Sequence, residues 1–325
     1  MSNATGLLHA LVLDGRGGAS ELDWAGVLAW KPDDGILWLN LDYTAEDVSS
    51  WLVDHAKVED LTRDALLDHD PRPRVVLHDD DLFLVLRGIN QNQGAEPEDM
   101  VSIRTFIEQR RIITLRHRGS RSLKSIAADL HARKGPRSTS ELTAVLVERV
   151  VDHVVARVDL LNDEIAASED RVLSDHETGD LRAYLADHRR RAIALRRFLG
   201  PQREAFGKLA VIAPPWLDAR SRDRIVEAAD QMTRAIEELD AARDRAAVTQ
   251  EELASRMTEL TNRRLYVLSL MTAVFLPIGF VCTLLGVNIG GMPFQRDDWA
   301  FWVLCLLIAS GVGFQFWFFK KRGWF

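Results

Sequence analysis

Three adjacent residues, Gly286-Val287-Asn288, stand where a long apolar run stops, and their types suit a weak cation site. From Leu265 to Gln295 no side chain is charged. Leu265–Leu285 is long enough to cross a bilayer as a helix, which takes about 20 apolar residues. A glycine can close a helix in the left-handed conformation. Gly286 is therefore expected to end the helix that way, leaving the last carbonyls and the Asn288 amide oxygen open. Several copies around an axis would turn these oxygens into a neutral ring. Such a ring can hold a hydrated divalent ion without stripping its water, which suits ions that dehydrate reluctantly. Weak binding also lets the ion leave. The spacing Gly-x-Asn alone marks any helix stop or turn, and its chemical meaning comes only from its position.

A polar line leads up to this triplet. Asp244, Glu251, Ser255, Thr258 and Asn262 recur at helical spacing, and the same line continues as Leu265, Ser269, Thr272, Leu276, Gly279 and Thr283. A ring of helices around a pore produces such a line. So does a solvated face followed by ordinary small-residue packing inside a membrane. Leu268 and Leu276 would narrow a pore as apolar constrictions, and equally serve as packing residues. Zinc prefers His, Cys or carboxylate in a tetrahedral set. None of the nine histidines lies beyond residue 264, His55/His69 and His176/His188 form no tight ligand pair, and Cys282 and Cys305 both fall inside apolar runs. No His/Cys zinc set is identified. For proton transfer the first apolar run offers only the Cys282 thiol and the Tyr266 phenol, with Glu251 a stalk carboxylate nearby.

The elements that position these residues follow from hydropathy and charge. A second apolar run, Trp299–Phe319, ends at Lys320-Lys321-Arg322, and Asn262-Arg263-Arg264 precedes the first. The connection holds only Arg296, offset by Asp297 and Asp298. Basic flanks stay in the cytoplasm, so residues 265–325 read as a two-span hairpin with both termini inside, and Trp299, Trp302, Trp317 and Trp324 suit the lipid interface. From Trp216 no Pro or Gly intervenes until Pro277, and apolar residues recur every seven positions at Ile225, Met232, Leu239, Ala246, Leu253, Leu260, Val267, Val274 and Val281. A helix from Trp216 to Leu285 would be about 105 Å long. A seven-residue repeat calls for partner helices, so a homo-oligomer is expected.

The rest of the 325 residues can bury a core of their own. Strands are expected at 8–13, 36–41, 74–77, 82–89, 101–108 and 111–116, with hairpin turns at Asp79-Asp80-Asp81 and Gln109-Arg110. Helices are expected at 44–55, with Thr44 as N-cap and Asp47 three residues on, at 58–68 and at 120–133. From Ser140 the period becomes helical, over 141–174 with a stripe from Leu142 to Ile165, and over 180–210. The fold class is α+β: a cytoplasmic α/β domain over 1–138, long antiparallel helices over 139–215, a stalk helix over 216–264, and the membrane hairpin. The net charge of −7 gives no case for nucleic acid. No basic segment followed by an apolar run opens the sequence, so no secretory leader is expected. No phosphate loop, nucleophile motif or metal triad suggests an enzyme.

Phe275-Leu276-Pro277-Ile278-Gly279-Phe280 followed by Gly286-Val287-Asn288 resembles the first-span signature of the CorA superfamily of divalent-cation transporters. The hairpin, basic tail, stalk and α/β domain are similar too, so the resemblance covers essentially the whole chain. Magnesium channels of that superfamily carry Gly-Met-Asn where this chain has Val287. Gly-Val-Asn followed by Ile289-Gly290-Gly291-Met292-Pro293 resembles the ZntB branch of bacterial zinc transporters, as do residues 97–104 and 111–115. The resemblance implies a homopentamer with a cytoplasmic funnel in the bacterial inner membrane. It implies ion recognition at Gly286, Val287 and Asn288, and pore lining at Asn262, Leu265, Leu268, Thr272, Leu276, Gly279 and Thr283. The cargo would be Zn2+ foremost, in uptake coupled to protons or in efflux, with no bound cofactor and with membrane lipid as surroundings. A magnesium or cobalt channel is the alternative within the class. A membrane-anchored oligomeric sensor or scaffold is the alternative outside it.

Overall fold

A computed structural model describes residues 6–173, 178–212, 214–287, 297 and 299–322. The chain divides into two compact units, Met1–Glu251 and Glu252–Phe325.

The first unit is built on a seven-stranded sheet: β1 (Leu7–Leu13), β2 (Ala19–Glu21), β3 (Ile36–Asp42), β4 (Arg74–His78), β5 (Asp81–Gly88), β6 (Val101–Ile107) and β7 (Arg111–Arg116). Their order is β2-β1-β3-β7-β6-β5-β4. The β3–β7 pair is parallel and its neighbours are antiparallel. Successive strand residues point to opposite faces, and both faces here are apolar. Leu37, Leu39, Leu41, Phe83, Val85, Ile113 and Leu115 face one core, which α2 (Glu46–Asp54) and α3 (Asp60–Leu67) close with Val48, Trp51, Leu52 and Leu66. Trp38, Leu82, Leu84, Leu86, Ile103 and Ile112 face the other. That second core is closed by α4 (Arg121–His131), α5 (Thr139–Leu173), α6 (Thr178–Val211) and the first part of α7 (Ala219–Leu285).

All six expected strands are present within a residue or two. The three-residue β2 and the six-residue α1 (Trp24–Ala29) add to them. The cap expected at Thr44 is not formed. α2 starts at Glu46, the Thr44 hydroxyl donates to Asp42 Oδ1 at 2.7 Å, and the Asp47 carboxylate accepts from the Gly6 N–H at 3.0 and 3.1 Å. A partner 41 residues away takes the carboxylate that a local capping box would have used.

The seven-residue repeat also has a local answer. Ile225, Met232, Leu239 and Ala246 are buried, as are Ala228, Ala235 and Ala242 three positions on, and all share one core with Val150, Val154 and Val158 of α5 and Leu195, Leu199 and Phe206 of α6. Through Ala246 the chain's own helices fill the seam that seemed to require other subunits. Farther along, Leu260 and Val267 are exposed.

Candidate ion path

In the second unit, α7 continues to Leu285 and α8 (Trp299–Lys321) follows. Both are long and apolar enough to cross a membrane, and large apolar side chains such as Leu268, Phe275, Phe280, Trp302, Leu306 and Phe314 lie exposed on them. Water does not tolerate a patch of this extent on a soluble monomer; lipid or further subunits must cover it. Near its end α8 carries Trp317 with the Lys321 ammonium 5.1 Å from its ring, and Phe318 with the Arg322 guanidinium 5.4 Å away.

The less exposed positions of α7 in this unit are Leu253, Arg256, Leu270, Ala273, Val274, Ile278 and Val281, and those of α8 are Ala300, Leu304, Ile308, Val312, Gln315 and Phe319. At 3.6 residues per turn each set makes one stripe. The Gln315 amide donates to the Ala273 carbonyl at 2.7 Å. That carbonyl lies four residues before Pro277, which has no N–H to give it. A lone amide on α8 thus supplies the bond that the proline removes from α7, as polar groups in lipid require. Sequence reasoning passed over Gln315; the signal was a single polar amide in an otherwise apolar helix.

Leu265, Leu268, Thr272, Leu276, Gly279 and Thr283 lie on the opposite side of α7 from its covered stripe, Asn262 flanks that line, and every one is exposed. The Thr272 hydroxyl donates to the Leu268 carbonyl at 2.9 Å and the Thr283 hydroxyl to the Gly279 carbonyl at 2.7 Å. With each hydrogen committed to the helix, the oxygen lone pairs are what the surface presents. Upstream, Asp244, Glu251, Ser255 and Thr258 are exposed as well. Asp244 Oδ1 accepts from Arg243 at 2.8 Å, and Thr258 donates to the Ala254 carbonyl at 2.9 Å.

At the end of α7 the Gly286 N–H is shared between the Cys282 carbonyl at 2.9 Å and the Thr283 carbonyl at 3.1 Å. Gly286 does not adopt the left-handed conformation expected of it. What favours glycine is space: a Cβ would stand 3.2 Å from the Cys282 carbonyl oxygen. Val287 is exposed, and Asn288 lies outside the described residues. No group of three or more His, Cys, Asp or Glu forms a metal cage among the described residues. The surface offers neutral oxygens on an apolar helix, the chemistry of passage more than of tight binding.

A mixed α/β domain, a long helix running into an apolar segment and a second apolar helix define the architecture of a two-span metal-ion transporter. The model of the CorA-like Mg2+ transporter protein family matches residues 33–321, and the chain belongs to that family. It is 38% identical over 322 residues, 98% of its own length and 97% of the relative's, to the divalent cation transporter CmaX of Pseudomonas aeruginosa. It is 35% identical over 321 residues, 98% and 96% of the two lengths, to the zinc transport protein ZntB of Pectobacterium carotovorum. The structure of full-length CmaX matches with a TM-score of 0.86 at 37% identity, covering 98% of each chain. The CorA magnesium transporter of Methanocaldococcus jannaschii matches with a TM-score of 0.81 over 97% of this chain and 98% of its own; at 14% identity this likeness is one of fold. The superfamily resemblance seen in the first-span signature is borne out, and membership places the chain among transporters of divalent cations, not enzymes.

Proposed function

We propose that this chain carries Zn2+ across the bacterial inner membrane, through an axial path lined by α7 of five identical subunits, with both termini in the cytoplasm. The observation that carries the reading is the exposed line from Leu265 to Thr283, flanked by Asn262 and set opposite the stripe that is partly covered within the unit. In a ring of subunits that line is free to face an axis while α8 faces lipid. Thr272 and Thr283 present acceptor oxygens, Leu268 and Leu276 narrow the path, and the Gly286-Val287-Asn288 mouth selects a hydrated ion. Zinc as cargo is supported by Val287 and by the zinc transport proteins among the relatives. Coupling to protons belongs to the same reading, with Glu251 as the stalk carboxylate beside the path.

Flux through the purified protein in liposomes tests this. Zn2+ entry should persist under a tenfold excess of Mg2+, rise when a proton gradient points inward, and vanish in Asn288→Ala at unchanged melting temperature. Mg2+ suppressing Zn2+ flux at equal concentration would transfer the reading to a magnesium channel. An Asn288→Ala protein that transports like the parent would remove the mouth from it.

A further inference from the structure

The first unit contains a cavity of about 470 Å³ that the ion path does not use. It lies beside the ends of β5 and β6, with α6 along one side, and its lining includes Glu98–Ser102 from the stretch that resembles the ZntB branch. Four arginines line it, Arg87, Arg104, Arg118 and Arg197, together with His69 and His117. Two carboxylates do so: Glu98, which is paired with Arg157 at 3.3 Å, and the exposed Asp99. Cations therefore outnumber anions in the wall, in a chain whose net charge is negative.

Arg104 is the informative member. Its side chain is fully buried, and none of its three guanidinium nitrogens has a hydrogen-bond partner among the described residues. A buried charge without hydrogen-bond partners is costly, and here the Tyr43 ring lies over it, its centroid 3.9 Å from the guanidinium carbon. An aromatic face compensates a cation only in part. Arg87, also buried, donates to the Asp70 carboxylate and to the Pro71 and Met100 carbonyls, leaves its Nε unpartnered, and sits 4.6 Å from the Phe198 ring. The exposed Arg197 lies on the same ring at 5.3 Å. The volume falls within the range of small-molecule sites, about 300–1,000 Å³.

From this arrangement we infer that the cavity is a binding site for a multivalent oxyanion, a phosphate-bearing small molecule of the cytoplasm, held by Arg87, Arg104 and Arg197. A planar guanidinium fork matches two oxygens of one phosphoryl group. Rotation of Tyr43 off Arg104 opens that fork to the cavity, and the anion supplies the acceptors that Arg104 lacks. Phe198 and Tyr43 give the non-ionic part of the ligand aromatic faces to rest on.

The test uses full-length protein in detergent, free of divalent metal, titrated with inorganic phosphate and pyrophosphate by calorimetry and melting temperature, with chloride at matched ionic strength as control. Pyrophosphate should bind saturably and raise the melting temperature, while chloride does neither. Binding should weaken about tenfold or more in Arg197→Gln, an exposed position where folding is not at stake, and in Arg104→Lys, which keeps the charge and loses the fork. If Arg104→Lys fails to fold, Arg197→Gln and Arg118→Gln decide. Absence of saturable binding, binding unchanged in the Arg197 and Arg118 variants, or an equal effect of chloride would each overturn the oxyanion site.

Discussion

Thr272 and Thr283 show how a side chain on an apolar helix can be polar toward only one kind of ligand. Each hydroxyl gives its hydrogen to the carbonyl four residues back, so a cation on the proposed path would meet lone pairs. Between them Leu276 is 66% exposed, so burial among the described residues does not account for a large apolar group there. In the proposed path an apolar ring at that level would gate by excluding water. Leu276→Ser should therefore raise Zn2+ flux in liposomes severalfold without lowering the melting temperature; unchanged or reduced flux in a folded variant would count against the gate. The positions of these residues were legible from spacing because an exposed helical line has a fixed period. The conformation of Gly286 was not legible, because a glycine packed tightly on the Cys282 carbonyl looks the same in sequence as one that turns left-handed.

Among the elements, one hydrogen bond joins α8 to α7 where Pro277 interrupts the helix ladder. Gln315→Leu removes the donor to the Ala273 carbonyl, which Pro277 leaves without an intrahelical partner. Hydrogen bonds between membrane helices average about 0.6 kcal/mol and reach about 1.7, and this one serves an otherwise orphaned group. A loss of about 1 kcal/mol is expected, read as a lower unfolding midpoint in detergent. A second device joins α6 to the sheet. β4 pairs with β5 only as far as Val85, and beyond it the Gln202 amide accepts from the Arg87 N–H at 2.6 Å and donates to the Arg87 carbonyl at 3.1 Å, in place of a strand.

On the same helix His188 is buried against the Tyr184 ring at 4.0 Å and 3.3 Å from the Glu164 carboxylate. Burial pulls its pKa below the ordinary value of 6.5 despite the opposing pull of Glu164. Well above 6.5 the imidazole is neutral in both states and nothing is lost. Below it the unfolded chain takes up a proton that the folded chain resists, so stability falls with pH. The melting temperature should drop between about pH 7 and pH 5.5, and drop less steeply in His188→Gln. His9 and His153, also lowered by burial, contribute in the same direction. The strands were legible because their alternation feeds two cores at once. β2, α1 and the Thr44 cap were not, since elements of three and six residues carry no period and Asp47 is claimed by Gly6 from outside its own helix.

At the scale of the molecule, one helix has two different surroundings. Its seven-residue repeat is filled by α5 and α6 through Ala246, while Leu260 and Val267 on the same repeat are exposed. The sequence pattern has no break there, which is why it could not tell packing within the chain from packing between chains. The anion cavity was equally hidden, because Arg87, Arg104 and Arg197 come from three separate elements and only the fold brings them to one wall. The central claim is that the exposed line of α7 faces the ion path and the opposite stripe does not. It is tested by placing single cysteines at Thr272, Thr283 and Val274 in a protein with Cys282→Ser and Cys305→Ser, then measuring Zn2+ flux before and after a charged, membrane-impermeant thiol reagent. Flux through the Thr272→Cys and Thr283→Cys proteins should be blocked and flux through Val274→Cys spared. Block at Val274→Cys with the two line positions spared would contradict the account.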